Sequence, residues 1–348
     1  MAVVAIDGGG TKTRVIISQN GVVASGEDGP SNLLSAGLEV ALKSIREATD
    51  KAIANLEGGA ALDTVEEVWA GFAGVSSATH GLLVEEFSRL YRVDPSKVMV
   101  SPDAVLLASQ FAFNPDSDQA VGLIAGTGSL AVALKRQDKY GLDSILCRTG
   151  GYGALLGDEG SGFYIGRQGI KSILDTNERL LGQRAKKFVQ QSKEDGHDKA
   201  DGEVGFTSWQ VSILNQLGVE KYPDVALHSS ILLQLNRDVA GQRSRVASMA
   251  RTVMEAATAT GEECPVAREI IEDAATHLAQ LVIKLKAPVG PIDPSRSILI
   301  TSGSLMGVQP FAKLVIDHIN KEGPKFKHIQ WVKDPALSVA SALALKYL

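Results

Sequence analysis

The stretch from Val3 to Ile17 constrains this chain more than any other: Val3-Val4-Ala5-Ile6-Asp7, then Gly8-Gly9-Gly10-Thr11-Lys12-Thr13, then Arg14-Val15-Ile16-Ile17. It reads as a short apolar strand, a glycine and threonine loop, and a second apolar strand. Three consecutive glycines take every Cβ out of the loop, so its backbone can bend sharply and bring N–H groups close to a polyanion. An ordinary glycine turn is the plain alternative, yet a two-residue turn closes a hairpin without Gly-Gly-Gly-Thr-Lys-Thr. A P-loop would need Gly-Lys-Ser/Thr opening a helix, whereas the residues after Lys12 are strand-like. A dinucleotide fingerprint would need a third glycine where Thr13 stands. What remains is a phosphate loop inside a β-hairpin, with Asp7 at its mouth.

Further along, Gln19-Asn20-Gly21 signals a turn into a third strand, Val22-Val23-Ala24, which makes an antiparallel meander. Leu38, Leu42, Ile45, Ile53 and Leu56 space a helix that stops at Gly58-Gly59. A strand over Val65 to Val75, a helix through Leu82 to Leu90, and a short strand Val98-Met99-Val100 follow. Asp103 then falls at a strand-to-helix corner before a helix over Ala104 to Ala112. This is an α/β pattern with one mixed sheet.

At Ala120 the opening arrangement begins again. Val121-Gly122-Leu123-Ile124-Ala125, Gly126-Thr127-Gly128-Ser129 and Leu130-Ala131-Val132-Ala133-Leu134 again form strand, Gly/Thr loop and strand, alike in pattern if not in sequence. A third strand over Ser144 to Cys147 precedes the glycine-dense segment from Gly150 to Gly162, which leads into a helix through Ile173. Residues 176–265 read as mostly helical without a motif, and the charge run 193–199 as a solvated turn. Val266 to Leu285 is an amphipathic helix. Ile298-Leu299-Ile300 is a strand ending at Ser302-Gly303-Ser304, a helix starts at Val308, His328 to Val332 is a last strand, and Pro335 to Leu348 a last helix. Two similar halves, 1–118 and 119–348, would enclose a cleft, with the last helix able to return to the first half.

The length of 348 residues suits two domains, and 44% hydrophobic content is enough for a core in each. With 35 Lys plus Arg against 40 Asp plus Glu, the net charge of -5 argues against a nucleic-acid partner. Cys147 and Cys264 lie far apart, without zinc or disulfide spacing. The N-terminus lacks a charged n-region and no apolar run suffices to span a bilayer, so no membrane partner and a cytoplasmic location are expected.

Facing loops could hold a polyphosphate from both sides, through Gly9, Gly10, Thr11 and Thr13 on one and Gly126, Thr127, Gly128 and Ser129 on the other. Asp7 among phosphates makes sense if a cation or its waters lie between, the alternative being a turn aspartate. Lys12 can pair with phosphate or simply face water. If a phosphoryl group is transferred, Asp103 is the natural proton acceptor for an acceptor hydroxyl, or else an N-cap. Asp158 and Glu159, between glycines, suit sugar hydroxyls or a helix cap. Gly303 and Ser304 could let adenosine lie against bare backbone, or form a plain turn.

Together, Asp7-Gly8-Gly9-Gly10-Thr11-Lys12-Thr13, Asp103, Gly126-Thr127-Gly128-Ser129 and Gly157-Asp158-Glu159-Gly160-Ser161 resemble N-acetylglucosamine kinases of the animal type. These are grouped with the benzoyl-CoA reductase activator type ATPases in the actin-like sugar kinase superfamily. The resemblance runs in order over most of the chain and is loose over 176–297. It implies a two-domain ribonuclease-H-like fold that closes on ATP, Mg2+ and an amino sugar, moving the γ-phosphoryl group to the sugar 6-hydroxyl. Carried over by position, Asp103 becomes the base, and Asn32 and Asp158 contact the sugar. Gly151 and Tyr152 join them, the tyrosine standing where the animal enzymes carry tryptophan and keeping an aromatic wall. The resemblance also implies a homodimer. Glucosamine and N-acetylmuramate remain alternative substrates, and an activator-type ATPase without a sugar substrate an alternative function. The cysteines do not match the iron–sulfur pattern of the activators.

Overall fold

The computed structural model describes residues 1–57, 60–141, 144–191, 205–220, 223–239, 241–258, 264–285 and 292–347. The glycine pair 58–59 and the charge run 193–199 lie outside the described residues.

The opening meander forms as its sequence requires. Strands β1 (Ala2–Gly8), β2 (Thr13–Gln19) and β3 (Val22–Asp28) pair antiparallel. The β2–β3 turn places Asn20 at φ 51° and Gly21 at φ 82°, the doubly left-handed geometry that favours Asn-Gly. Strands β4 (Val65–Phe72) and β5 (Val98–Pro102) add parallel to β1, giving the order β3-β2-β1-β4-β5. The second half repeats this with β6 (Gln119–Ala125), β7 (Ser129–Lys135), β8 (Ile145–Gly150), β9 (Ser297–Ser302) and β10 (His328–Val332), in the order β10-β9-β6-β7-β8. Read from the other edge, the two sheets share one topology. This is the ribonuclease-H-like arrangement, built twice.

Alternation along β1 sorts its side chains. Val4 and Ile6 face helices α1 (Gly37–Ala54) and α2 (Ser77–Tyr91), while Val3 and Ala5 face the seam between the sheets. That seam is filled by the helix Asp103–Ala112 and by a helix from near the other end of the chain. The former is a 3-10 helix rather than the α-helix its apolar run suggests. Ala104 to Phe111 are all buried, packed between the two sheets.

The second half continues through α3 (Gly153–Leu156), α4 (Gly162–Gln191), α5 (Ser208–Leu217), α6 (Leu227–Asn236), α7 (Gln242–Ser248), α8 (Ala250–Thr258), α9 (Pro265–Ile283), α10 (Gln309–Glu322) and α11 (Pro335–Ala344). On the outer face of the second sheet α9 packs against β6, β7 and β8, and the other helices from α4 to α10 build one core around it. Helix α11 instead packs on β1, β2 and the 3-10 helix, burying Ala336, Val339, Ala340 and Leu343 in the seam. Val339 and Leu343 each gain roughly 1.5–3 kcal/mol from burial, far more than ten helical residues gain alone. Among the described residues no helix is long and apolar enough to cross a membrane.

Candidate active site

The first glycine loop is closed by Gly9 N–H donating to the Lys12 carbonyl at 3.0 Å and tethered by Ser31 N–H to the Gly9 carbonyl at 3.0 Å. Gly8 has no room for a side chain: a Cβ there would overlap the Phe72 ring, whereas one on Gly10 would meet nothing within 4 Å. The Thr13 hydroxyl is buried, donating to the Gly29 carbonyl at 2.8 Å and lying 2.7 Å from Ser31 Oγ, so it braces the loop from behind. Lys12 Nζ pairs with Glu27 at 2.9 Å on the surface.

The second loop repeats this design in shorter form. Gly126 N–H donates to the Gly128 carbonyl at 2.9 Å, and the start of α4 grips the loop as Gly162 and Phe163 N–H groups donate to the carbonyls of Gly126 and Thr127 at 2.8 and 3.2 Å. Gly303, at φ 93°, lies so close to the Ala125 carbonyl that a Cβ would collide with it. Leu305 N–H then donates to that carbonyl at 3.1 Å, setting Ser304 beside the loop. The result is one cleft of about 670 Å3, lined by Thr11 from the first loop, Gly126 and Thr127 from the second, Ser304 and Leu305, and Ser244, Ala250, Arg251 and Met254 of α7 and α8.

Carboxylates gather at the ends of the parallel strands of the first sheet. Register places Asp7 beside Gly71 and Gly71 beside Ser101, two residues before Asp103. Burial, then the charges of Asp103 and Asp334, push the Asp7 carboxyl from 3.8 up to about 7, against the pull of Lys12 and Arg14. Asp103 is also raised, chiefly by burial, with the Ala104 N–H at 2.9 Å and the Arg148 charge working the other way. Asp334 caps α11 by accepting from Leu337 N–H at 3.0 Å.

A divalent cation fits this place by its chemistry: a carboxyl whose charge is disfavoured by desolvation and by acidic neighbours is relieved when a cation arrives. No group of three His, Cys, Asp or Glu side chains among the described residues forms a metal cage.

The expected sugar residues are arranged less simply. Asn32 Oδ1 accepts from Leu34 N–H at 2.9 Å and Ser35 N–H at 3.3 Å, shaping its own turn. Gly151, at φ 70°, donates its N–H to the Ser129 carbonyl at 2.9 Å. Tyr152 is 57% exposed with the Arg148 guanidinium 5.7 Å from its ring centroid. Asp158, an expected sugar residue, has both oxygens engaged within the protein: Oδ1 accepts from Ser129 N–H at 3.2 Å and Oδ2 from Arg243 Nη2 at 2.6 Å.

Arg243, Met254 and Asp334 escaped the sequence reading. The Asp334-Pro335 pair does mark a helix start, but not the strand that helix lands on.

The chain belongs to the BadF/BadG/BcrA/BcrD ATPase family, whose sequence profile matches residues 4–341. It is 28% identical over 174 residues, 49% of its length, to an N-acetylmuramic acid/N-acetylglucosamine kinase of Clostridium acetobutylicum, covering 53% of that protein. It is likewise 28% identical over 184 residues, 51% of its length, to an N-acetyl-D-glucosamine kinase of Dictyostelium discoideum, covering 55% of it. The chain thus spans about half the length of these curated relatives. A crystal structure of a candidate N-acetylglucosamine kinase from Porphyromonas gingivalis superposes with a TM-score of 0.64 at 15% identity over 100% of both chains, a likeness of fold.

Proposed function

We propose that this protein is an ATP-dependent amino-sugar kinase that phosphorylates a 6-hydroxyl, with N-acetylglucosamine the preferred acceptor. The observation that carries the reading is the cleft shared by Thr11, Gly126, Thr127 and Ser304, where Thr11 belongs to the loop that follows the strand bearing Asp7, and Asp7 and Asp103 stand at the C-terminal ends of parallel strands of the first sheet. The names of the half-length relatives support it.

In this reading the two loops hold the phosphates, and the apolar side chains of Met254 and Leu305 receive the adenine. Asp103 orients the sugar hydroxyl and takes its proton as the oxygen bonds to the γ-phosphorus and the bond to the ADP oxygen breaks. Mg2+, held beside Asp7, would neutralise phosphate charge. Positioning and electrostatics do most of the work. The repeated topology supports a domain boundary near 118/119, with α11 returned to the first domain.

The test is ADP release with and without a panel of hexosamines, including glucosamine and N-acetylmuramate, with mass spectrometry of the products. A 6-phosphorylated hexosamine is expected. Hydrolysis indifferent to sugar would sink the kinase and leave the ATPase alternative.

A further inference from the structure

Asp158 is packed against the second glycine loop. Its side chain is 2% exposed, and its backbone is held at φ 62°, a conformation that residues other than glycine rarely take. Its carboxylate covers the Ser129 amide, which belongs to the second phosphate loop, and its other oxygen meets Arg243. The guanidinium lies across Gly128, where any Cβ would collide with it, and the next residue, Ser244, lines the cleft with Gly126 and Thr127. A carboxylate therefore sits on an amide of the phosphate loop, and a cation that is 44% exposed stands beside it.

We propose that Asp158 and Arg243 form an exchange pair coupling the nucleotide and sugar sites: nucleotide phosphates take over the Ser129 amide and Arg243, and Asp158 is released toward the sugar. The proposal rests on the kinase reading above. A polyphosphate carries more charge than a carboxylate and matches the guanidinium fork equally well. It also suits a cradle of loop N–H groups. A buried carboxylate stripped of both partners is strongly disfavoured, so sugar hydroxyls become its replacement donors. Nucleotide binding then tightens sugar binding, and sugar tightens nucleotide to the same degree.

The test compares the wild-type chain with Asp158→Asn and Arg243→Met. Mg2+ and the non-hydrolysable analogue AMP-PNP are titrated calorimetrically in the absence of sugar. Exchange requires opposite signs: Asp158→Asn, having lost the competing anion, binds about fivefold tighter, and Arg243→Met, having lost the phosphate's cation, about tenfold or more weaker. If the pair merely supported the loop, both would weaken, and that result overturns the proposal. In a second arm N-acetylglucosamine is titrated with and without AMP-PNP. The wild type gains about fivefold or more in sugar affinity, and Arg243→Met gains none. An uncoupled wild type, or coupling retained in Arg243→Met, overturns it. Should Arg243→Met fail to fold, Arg243→Lys shows the same direction with a smaller loss. If no hexosamine is phosphorylated the kinase reading falls, while the nucleotide arm still decides the exchange; same-sign effects in a working kinase overturn the exchange alone.

Discussion

Arg14 Nε lies 2.6 Å from Asp334 Oδ2, joining the strand that leaves the first loop to the N-terminus of α11. Asp334 therefore caps its helix and fixes where that helix lands. Replacing it with alanine removes a cap worth about 1 kcal/mol and strips a half-buried arginine of a partner. Asp334→Ala is expected to lose about 2–3 kcal/mol in urea unfolding. A midpoint unchanged from wild type would show the pair to be ornamental.

The raised Asp7 carboxyl, about 7 against an ordinary 3.8, has a definite sign. Between those values the folded protein keeps a proton that the unfolded chain has given up, so Asp7 favours folding at the acid end and loses that contribution as pH rises through 7. Asp7→Asn should therefore melt a few degrees above wild type at pH 8, and the gap should close toward pH 4. A gap independent of pH would contradict this origin.

The same carboxyl must be ionised to meet a cation. Binding of the Mg2+ complex of AMP-PNP is expected to strengthen about tenfold per pH unit below 7 and level off above it, in proportion to the ionised fraction. Calorimetry across pH on wild type and Asp7→Asn would check it, since the variant should show a flat, weaker profile. Asp334→Asn, which removes one charge that raises Asp7, should move the wild-type midpoint downward.

Asp103→Asn tests the base. Turnover is expected to fall by about 10²–10⁴, the range for a positioned general base, while calorimetric sugar affinity stays close to that of wild type. Near-normal turnover would remove Asp103 from the chemistry.

Two neighbouring glycines separate folding from binding. Gly8→Ala forces a Cβ into the Phe72 ring and should cost about 1–3 kcal/mol, read as a lower melting temperature. Gly10→Ala meets open space, so it should melt like wild type, and any loss of nucleotide affinity reports on the loop alone.

The two glycine loops were legible because strand, glycine loop and strand are neighbours in the chain, and their hydrogen bonds close within a few residues. Asp103 was legible as a corner between a strand and a helix. Other features depend on where distant elements land. Arg243 reaches Asp158 across 85 positions of sequence, and nothing in the helical pattern around it distinguishes it from a surface arginine. Met254 lines the cleft only because α8 packs where it does. The complete burial of the 3-10 helix after Asp103 comes from the two sheets that close around it, which no window of that sequence contains.

Helix α11 also bears on how this protein is made. While the chain is still on the ribosome, the first five strands can pair and the 3-10 helix can cover part of their inner face, but Val3, Ala5 and Ile16 are fully enclosed only once α11 and the second sheet are synthesised and docked. The first sheet therefore waits for nearly the whole chain, a long-range closure that slows folding and leaves apolar strand faces open to chaperones in the interval.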